Sequence, residues 1–159
     1  TALFKAAKTG NKKIVKLLLT AGANAEIGTH EPKRTVLNGL IAQGADFIDM
    51  ISLLLDNGVN VNNKDGYGCT PLMIAVAYGV YETAHLLIQY GADVNCQDNT
   101  GTTPLIQSVI TEKYDNRIAL LLLKSGARKE IKNVHGETAS DIAIKKRNED
   151  FLLLLSKSM

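Results

Sequence analysis

A leucine-rich segment closed by glycine recurs along this chain: Leu17-Leu18-Leu19 ending at Gly22, Leu53-Leu54-Leu55 at Gly58, Leu86-Leu87-Ile88 at Gly91, and Leu121-Leu122-Leu123 at Gly126. The glycines are 36, 33 and 35 residues apart. A second marker keeps the same phase. Thr1, Thr35, Thr70, Thr103 and Thr138 stand 34, 35, 33 and 35 residues apart, each followed by Ala, Val or Pro. Two markers in one phase over five units leave room for little but a stack of repeated units.

Each marker has a physical role. A Thr hydroxyl accepts a backbone N–H left free in the first helical turn. Proline at the next position, as at Pro71 and Pro104, needs no N–H there. Glycine past a helix end takes up a left-handed backbone at no steric cost. At Thr138 the acid three residues on, Asp141, completes the pattern of a capping box. Each unit therefore reads as cap, short helix, turn (Gly10, Gly44, Gly79), second helix, glycine stop and extended segment. Small residues (Ala6, Ala7, Ala75, Ala77) mark the first helices. An apolar stripe marks the second, from Ile14, Val15, Leu17 and Leu18 to Phe151, Leu152, Leu154 and Leu155. Asp65-Gly66-Tyr67-Gly68 and Asp98-Asn99-Thr100-Gly101 read as hairpin-like turns between units. A helix pair this short cannot bury its apolar side alone, so neighbours must share one core.

Asp65 to Gln97 closely resembles the ankyrin repeat, through Asp65, Gly68, Thr70-Pro71-Leu72, Ala75, Gly79, Leu86-Leu87 and Gly91-Ala92-Asp93-Val94-Asn95. Asp98 to Lys132 is similar through Asp98, Gly101, Thr103-Pro104-Leu105 and Gly126-Ala127. The resemblance spans the chain and implies an all-α solenoid of helix-turn-helix units joined by hairpin-like loops. It divides a single domain, 1–159, into 1–29 (partial), 30–64, 65–97, 98–132 and a C-terminal cap at 133–159. The histidine that the family carries after Thr-Pro-Leu is replaced here by Phe4, Asn38, Met73, Ile106 and Asp141. The unit from His30 has Lys33, beside Pro32, in place of the turn glycine. Two units hold two extra residues, placed near Ala45-Asp46-Phe47 and Lys113-Tyr114-Asp115, as tolerated insertions or as a shaped contact. The end units read as polar caps. Of Leu152 to Leu155, two are expected to face the core and two to be shielded by the tail; an uncovered patch that contacts another chain is the alternative.

Composition narrows the function. Charged residues are 21%, apolar 45%, and the net charge is +2, too small to predict nucleic-acid or membrane binding. The lysines among the first twenty residues and Lys145-Lys146-Arg147 read first as solvated faces, with a basic interaction site as the alternative. No apolar run approaches the ~18 residues of a membrane span. His30, His85 and His135 have no ligand spacing, so no metal is expected. Cys69 and Cys96 read as free thiols, since turns stacked about 10 Å apart put them beyond disulfide reach. Neither a nucleophile elbow nor a phosphate loop is present. No catalytic residue, cofactor or small-molecule substrate is expected. The chain begins at Thr1, not Met, which suggests a fragment, a processed form or a trimmed chain. An intracellular location is favoured, though a targeting segment could be missing.

The expected function follows from the resemblance: a monomeric module gripping another protein in a concave groove of loops and first helices. The groove positions carried over are Arg34, Lys64, Tyr67, Ala77, Tyr78, Asn99, Thr100, Ile110, Thr111, Lys132, Val134 and His135. Around them stand Lys8, Thr9, Glu31, Pro32, Ala42, Gln43, Gly66, Cys69, Gln97, Thr102, Glu137, Lys145 and Lys146. Tyr67 and Tyr78 are the expected anchors, since tyrosine is enriched in interface hot spots; merely covering the turns is their bland role. A positioning module within a longer chain, and a nucleic-acid binder along the basic edge, are the other readings.

Overall fold

The computed structural model describes residues 1–28, 34–44, 47–111 and 115–157. Ten helices lie among them and no strand. They run α1 (Ala2–Lys8), α2 (Lys12–Thr20), α3 (Val36–Ile41), α4 (Ile48–Asp56), α5 (Pro71–Ala77), α6 (Tyr81–Gln89), α7 (Pro104–Ile110), α8 (Asn116–Lys124), α9 (Ala139–Lys145) and α10 (Glu149–Lys157). Consecutive helices pair, and the first helices α1, α3, α5, α7 and α9 pack in file. The second helices α4, α6, α8 and α10 make a parallel file of their own.

The caps are where the spacing puts them. Thr1, Thr35, Thr70, Thr103 and Thr138 each accept, through the hydroxyl, the N–H three residues on, at 3.1–3.3 Å. Asp141 returns the bond to the Thr138 N–H at 2.9 Å and completes the capping box. The stop glycines Gly22, Gly58, Gly91 and Gly126 all have positive φ.

The core is aliphatic and continuous. Leu3, Leu37, Leu72 and Leu105 form one buried row on the first helices; Leu54, Leu87 and Leu122 form another on the second. Phe151 ends the core under α10. Each such side chain contributes about 1.5–3 kcal/mol of burial, which no single helix pair could gather without its neighbours.

Three expectations about packing are corrected or bounded. Ile14 and Leu17 belong to the stripe of α2 but are exposed, 45% and 62%. Of the four terminal leucines only Leu155 is buried; Leu152 and Leu154 are half-buried and Leu153 is 54% exposed. Helix packing decides this: α10 packs against α9 and α8, and no later helix follows it among the described residues. The inserted residues 45, 46, 113 and 114, and the departures at His30, Pro32 and Lys33, lie outside the described residues. Phe47 and Asp115, at the edges of the insertions, are the N-cap residues of α4 and α8.

Candidate functional site: the turn row and the first-helix ends

The turns between units repeat one construction. Asp65 Oδ1 accepts the N–H of Tyr67 and Cys69, and the Asp65 N–H donates to the Cys69 carbonyl. Asp98 does the same with Thr100 and Thr102, and Asn133 with His135 and Glu137. The reason is local: a short carboxylate or amide side chain reaches back-bone N–H groups two and four residues on and shapes the turn. Thus Asp65 and Asp98 are turn formers, as their matched positions suggest.

Neighbouring turns are then bonded into a row. The Asn99 N–H donates to the Tyr67 carbonyl at 3.1 Å, and the Val134 N–H to the Thr100 carbonyl at 3.0 Å. Such close approach demands glycine. A Cβ on Gly68 would lie 2.8 Å from the Asn99 nitrogen, and one on Gly101 3.0 Å from Val134; both residues also have positive φ. Lys64 Nζ donates to the Gln97 carbonyl at 2.8 Å, and Gln97 Nε2 to the Lys132 carbonyl at 3.0 Å. Behind the turns, Asn62 donates to the Gly91 carbonyl and accepts the Asp93 N–H, while Asn95 repeats this with Gly126 and Arg128. These asparagines, 33 residues apart, had a findable signal in their shared distance from the stop glycine.

The first-helix ends complete the face. Thr111 Oγ1 donates to the Ala77 carbonyl at 2.9 Å, and Lys146 Nζ to the Ile110 carbonyl. Thr100, Thr102, Ile110, Asn133, His135, Glu137, Ile142, Lys145 and Lys146 line a cavity of about 450 Å³. Lys145 is paired with Glu137, whose carboxyl is held below its ordinary range by that bond and by Asn133. The structure so brings Thr100, Ile110 and His135 to one hollow, with Tyr67, Asn99 and Val134 along the adjoining row. Tyr67 is 60% exposed, Val134 65% and Ile110 38%. Tyr78 is different: it closes α5 and packs half-buried against the core. Arg34, also half-buried, stands at the first turn, where its carbonyl accepts the Gly28 N–H. Glu31 and Pro32 lie outside the described residues.

Two features of this face escaped the sequence. Asn38 is fully buried on α3 and donates through Nδ2 to the Cys69 carbonyl (3.1 Å) and to Asp65 (3.3 Å). It ties the helix of one unit to the turn of the next. The enclosure of the hollow is the other: all of its lining but Asn133 and Ile142 was expected along the groove, but that these residues close one cavity follows only from packing. The Cys69 thiol, half-buried beside Asp65 and Asp98, is pushed up to about 11, chiefly by burial and against the pull of Arg34. It is protonated at neutral pH and a poor nucleophile. Among the described residues no His, Cys, Asp and Glu cluster could hold a metal, and no helix is long and apolar enough to cross a membrane.

Helix pairs stacked in one register, with a bonded row of turns along one edge, define a repeat solenoid. A family model described as ankyrin repeats (3 copies) matches residues 3–98 and 85–159. The chain belongs to the ankyrin repeat family, whose members generally serve as protein–protein interaction modules.

Proposed function

We propose that this chain binds a partner protein across the turn row and the first-helix ends of its last three units. The observation that carries this is the exposure of Tyr67, Ile110 and Val134 on a backbone that cross-unit hydrogen bonds hold rigid. Apolar anchors on a rigid frame lose little entropy on binding. Lys64, Lys132 and Lys146 edge these anchors, which favours a partner segment bearing carboxylates. With its thiol held protonated, Cys69 suits contact rather than chemistry, and we assign the chain no reaction of its own. Two unpaired cysteines suit a reducing compartment, where we place it.

The test starts from partners captured from a lysate and identified by mass spectrometry. Tyr67→Ala with Val134→Ala is expected to weaken such a complex by more than about 2 kcal/mol at an unchanged melting midpoint. Tyr78→Ala joins that effect only if its midpoint also holds. Partners retained in full by the folded double variant would overturn the assignment. Binding to DNA or RNA that falls steeply with salt would put the nucleic-acid reading in its place.

A further inference from the structure

All five second helices have nine residues, so they can be compared position by position. Their third residue is buried in α4, α6, α8 and α10, as Met50, Thr83, Ile118 and Phe151. In α2 it is Ile14, which is exposed. Their sixth residue is leucine throughout, half-buried in the later four and exposed at Leu17. The first helices show the same contrast: the residue after the capping Thr is buried in the later four units and exposed at Ala2. What separates the first unit from the rest is that the others each have a unit ahead of them. These positions therefore meet the preceding unit, and in the first they meet water.

The opposite end is built otherwise. Asp141 stands where Phe4 and Asn38 reach the following unit and Met73 and Ile106 are buried, and Ser156 where α2, α4, α6 and α8 carry Leu or Ile. The trailing face thus has polar residues at two of its stacking positions, beside one exposed apolar residue, Ile144 at 61%, whose equivalents Ala7, Ile41, Val76 and Val109 are buried; the leading face keeps Ala2, Ile14 and Leu17. Solenoid ends need polar outer faces, and one isolated exposed apolar residue is ordinary; three kept together in the stacking register are not.

We propose that Ala2, Ile14 and Leu17 form a stacking face for one more helix pair of the same type, lying directly ahead of Thr1 in the polypeptide. The occupant is argued from continuity: the junction it makes is the junction already made four times along the chain. Its sequence is constrained by the turns seen here. An Asp or Asn belongs five residues before Thr1 and a Gly two before it, as Asp65 and Gly68 precede Thr70 and Asp98 and Gly101 precede Thr103. A stop glycine belongs 33 to 36 residues before Gly22.

The test compares this chain with one that carries the residues encoded ahead of Thr1. The longer chain is expected to melt at least about 5 °C higher, with the amides of α2 slowed in hydrogen exchange. Ile14→Lys with Leu17→Lys is expected to leave the short chain's midpoint within about 2 °C and to abolish the gain in the long one, because the pair is buried only there. No gain on extension, or preceding residues without those turn and stop markers, would overturn the proposal. So would a concentration-dependent dimer of the short chain that the double variant dissolves, for then a second copy covers the face.

Discussion

The ring of Phe4 lies over Gly39 so closely that a Cβ there would sit 2.6 Å from Cε2 of the ring. The glycine of α3 thus makes room for the aromatic side chain of the unit before it. Alanine is the better helix former by about 1 kcal/mol, but overpacking a core costs about 1–3 kcal/mol. Gly39→Ala is therefore expected to destabilise the chain by about 1 kcal/mol. In a Phe4→Ala background the same change is expected to become stabilising. Urea titrations of the four proteins of this cycle check the reversal.

Asn38 holds two units together from a buried position, and its Oδ1 has no hydrogen-bond partner. Removing the amide takes away the cross-unit donor of the Cys69 carbonyl, which keeps the Asp65 N–H, so Asn38→Ala is expected to cost about 1 kcal/mol. Asn38→Asp sets a carboxylate against that carbonyl and against Asp65. It is expected to cost more than Asn38→Ala at pH 7 and to recover toward it at pH 4, where the new carboxyl protonates. Denaturation of both variants against the parent chain at the two pH values reads this out.

Arg147 has a left-handed backbone, φ 54°, at the turn between α9 and α10. Gly10 and Gly79 hold the corresponding turns with φ 73° and 68°. The bonds match as well: Arg147 N–H to Ile144 and Asn148 N–H to Ala143 repeat those of Gly10 to Ala7 and Asn11 to Ala6. A side chain in this region costs about 1–2 kcal/mol, and glycine's added unfolded-state entropy takes back about 0.4–1 kcal/mol. Arg147→Gly should stabilise the chain by about 0.5–1 kcal/mol, visible as a higher melting midpoint.

The caps of the last unit make stability fall in acid. Asp141 is held below its ordinary range by the N–H and the hydroxyl of Thr138. A carboxyl that is more acidic folded than unfolded contributes stability above its unfolded value, near 4, and loses it as the pH falls through the lower folded value. The stability gap between the parent chain and Asp141→Asn is therefore expected to be constant from pH 5 to 7 and to close below about pH 4. Thr138→Ala removes the cap itself and is expected to cost about 1 kcal/mol at pH 7. Thermal melts of the three proteins across that range test both.

The repeat, its caps and its stops could be read from residues alone because each is a local device. A Thr hydroxyl reaches an N–H three residues away, and a glycine adopts its backbone without help from distant neighbours. Asp65 and Asp98 were readable for the same reason. So were the positions of Tyr67, Thr100 and Val134 on the turn row, since the period carries each turn to the next.

Packing decided the rest. Identical stripe positions are buried at Met50 and exposed at Ile14 because burial depends on whether another unit stands in front, which no local pattern records. Tyr67 and Tyr78 look alike in the chain, yet one stands in solvent and the other covers the core. Asn38, a polar residue amid apolar ones, is explained by the turn of the next unit, where it donates to a carbonyl 31 positions away and to Asp65. Spacing along the chain set which groups could meet, through forces that act within a few residues. Which of them lost their water was settled by the stacking of whole units, because burial belongs to surfaces that form only when the units come together.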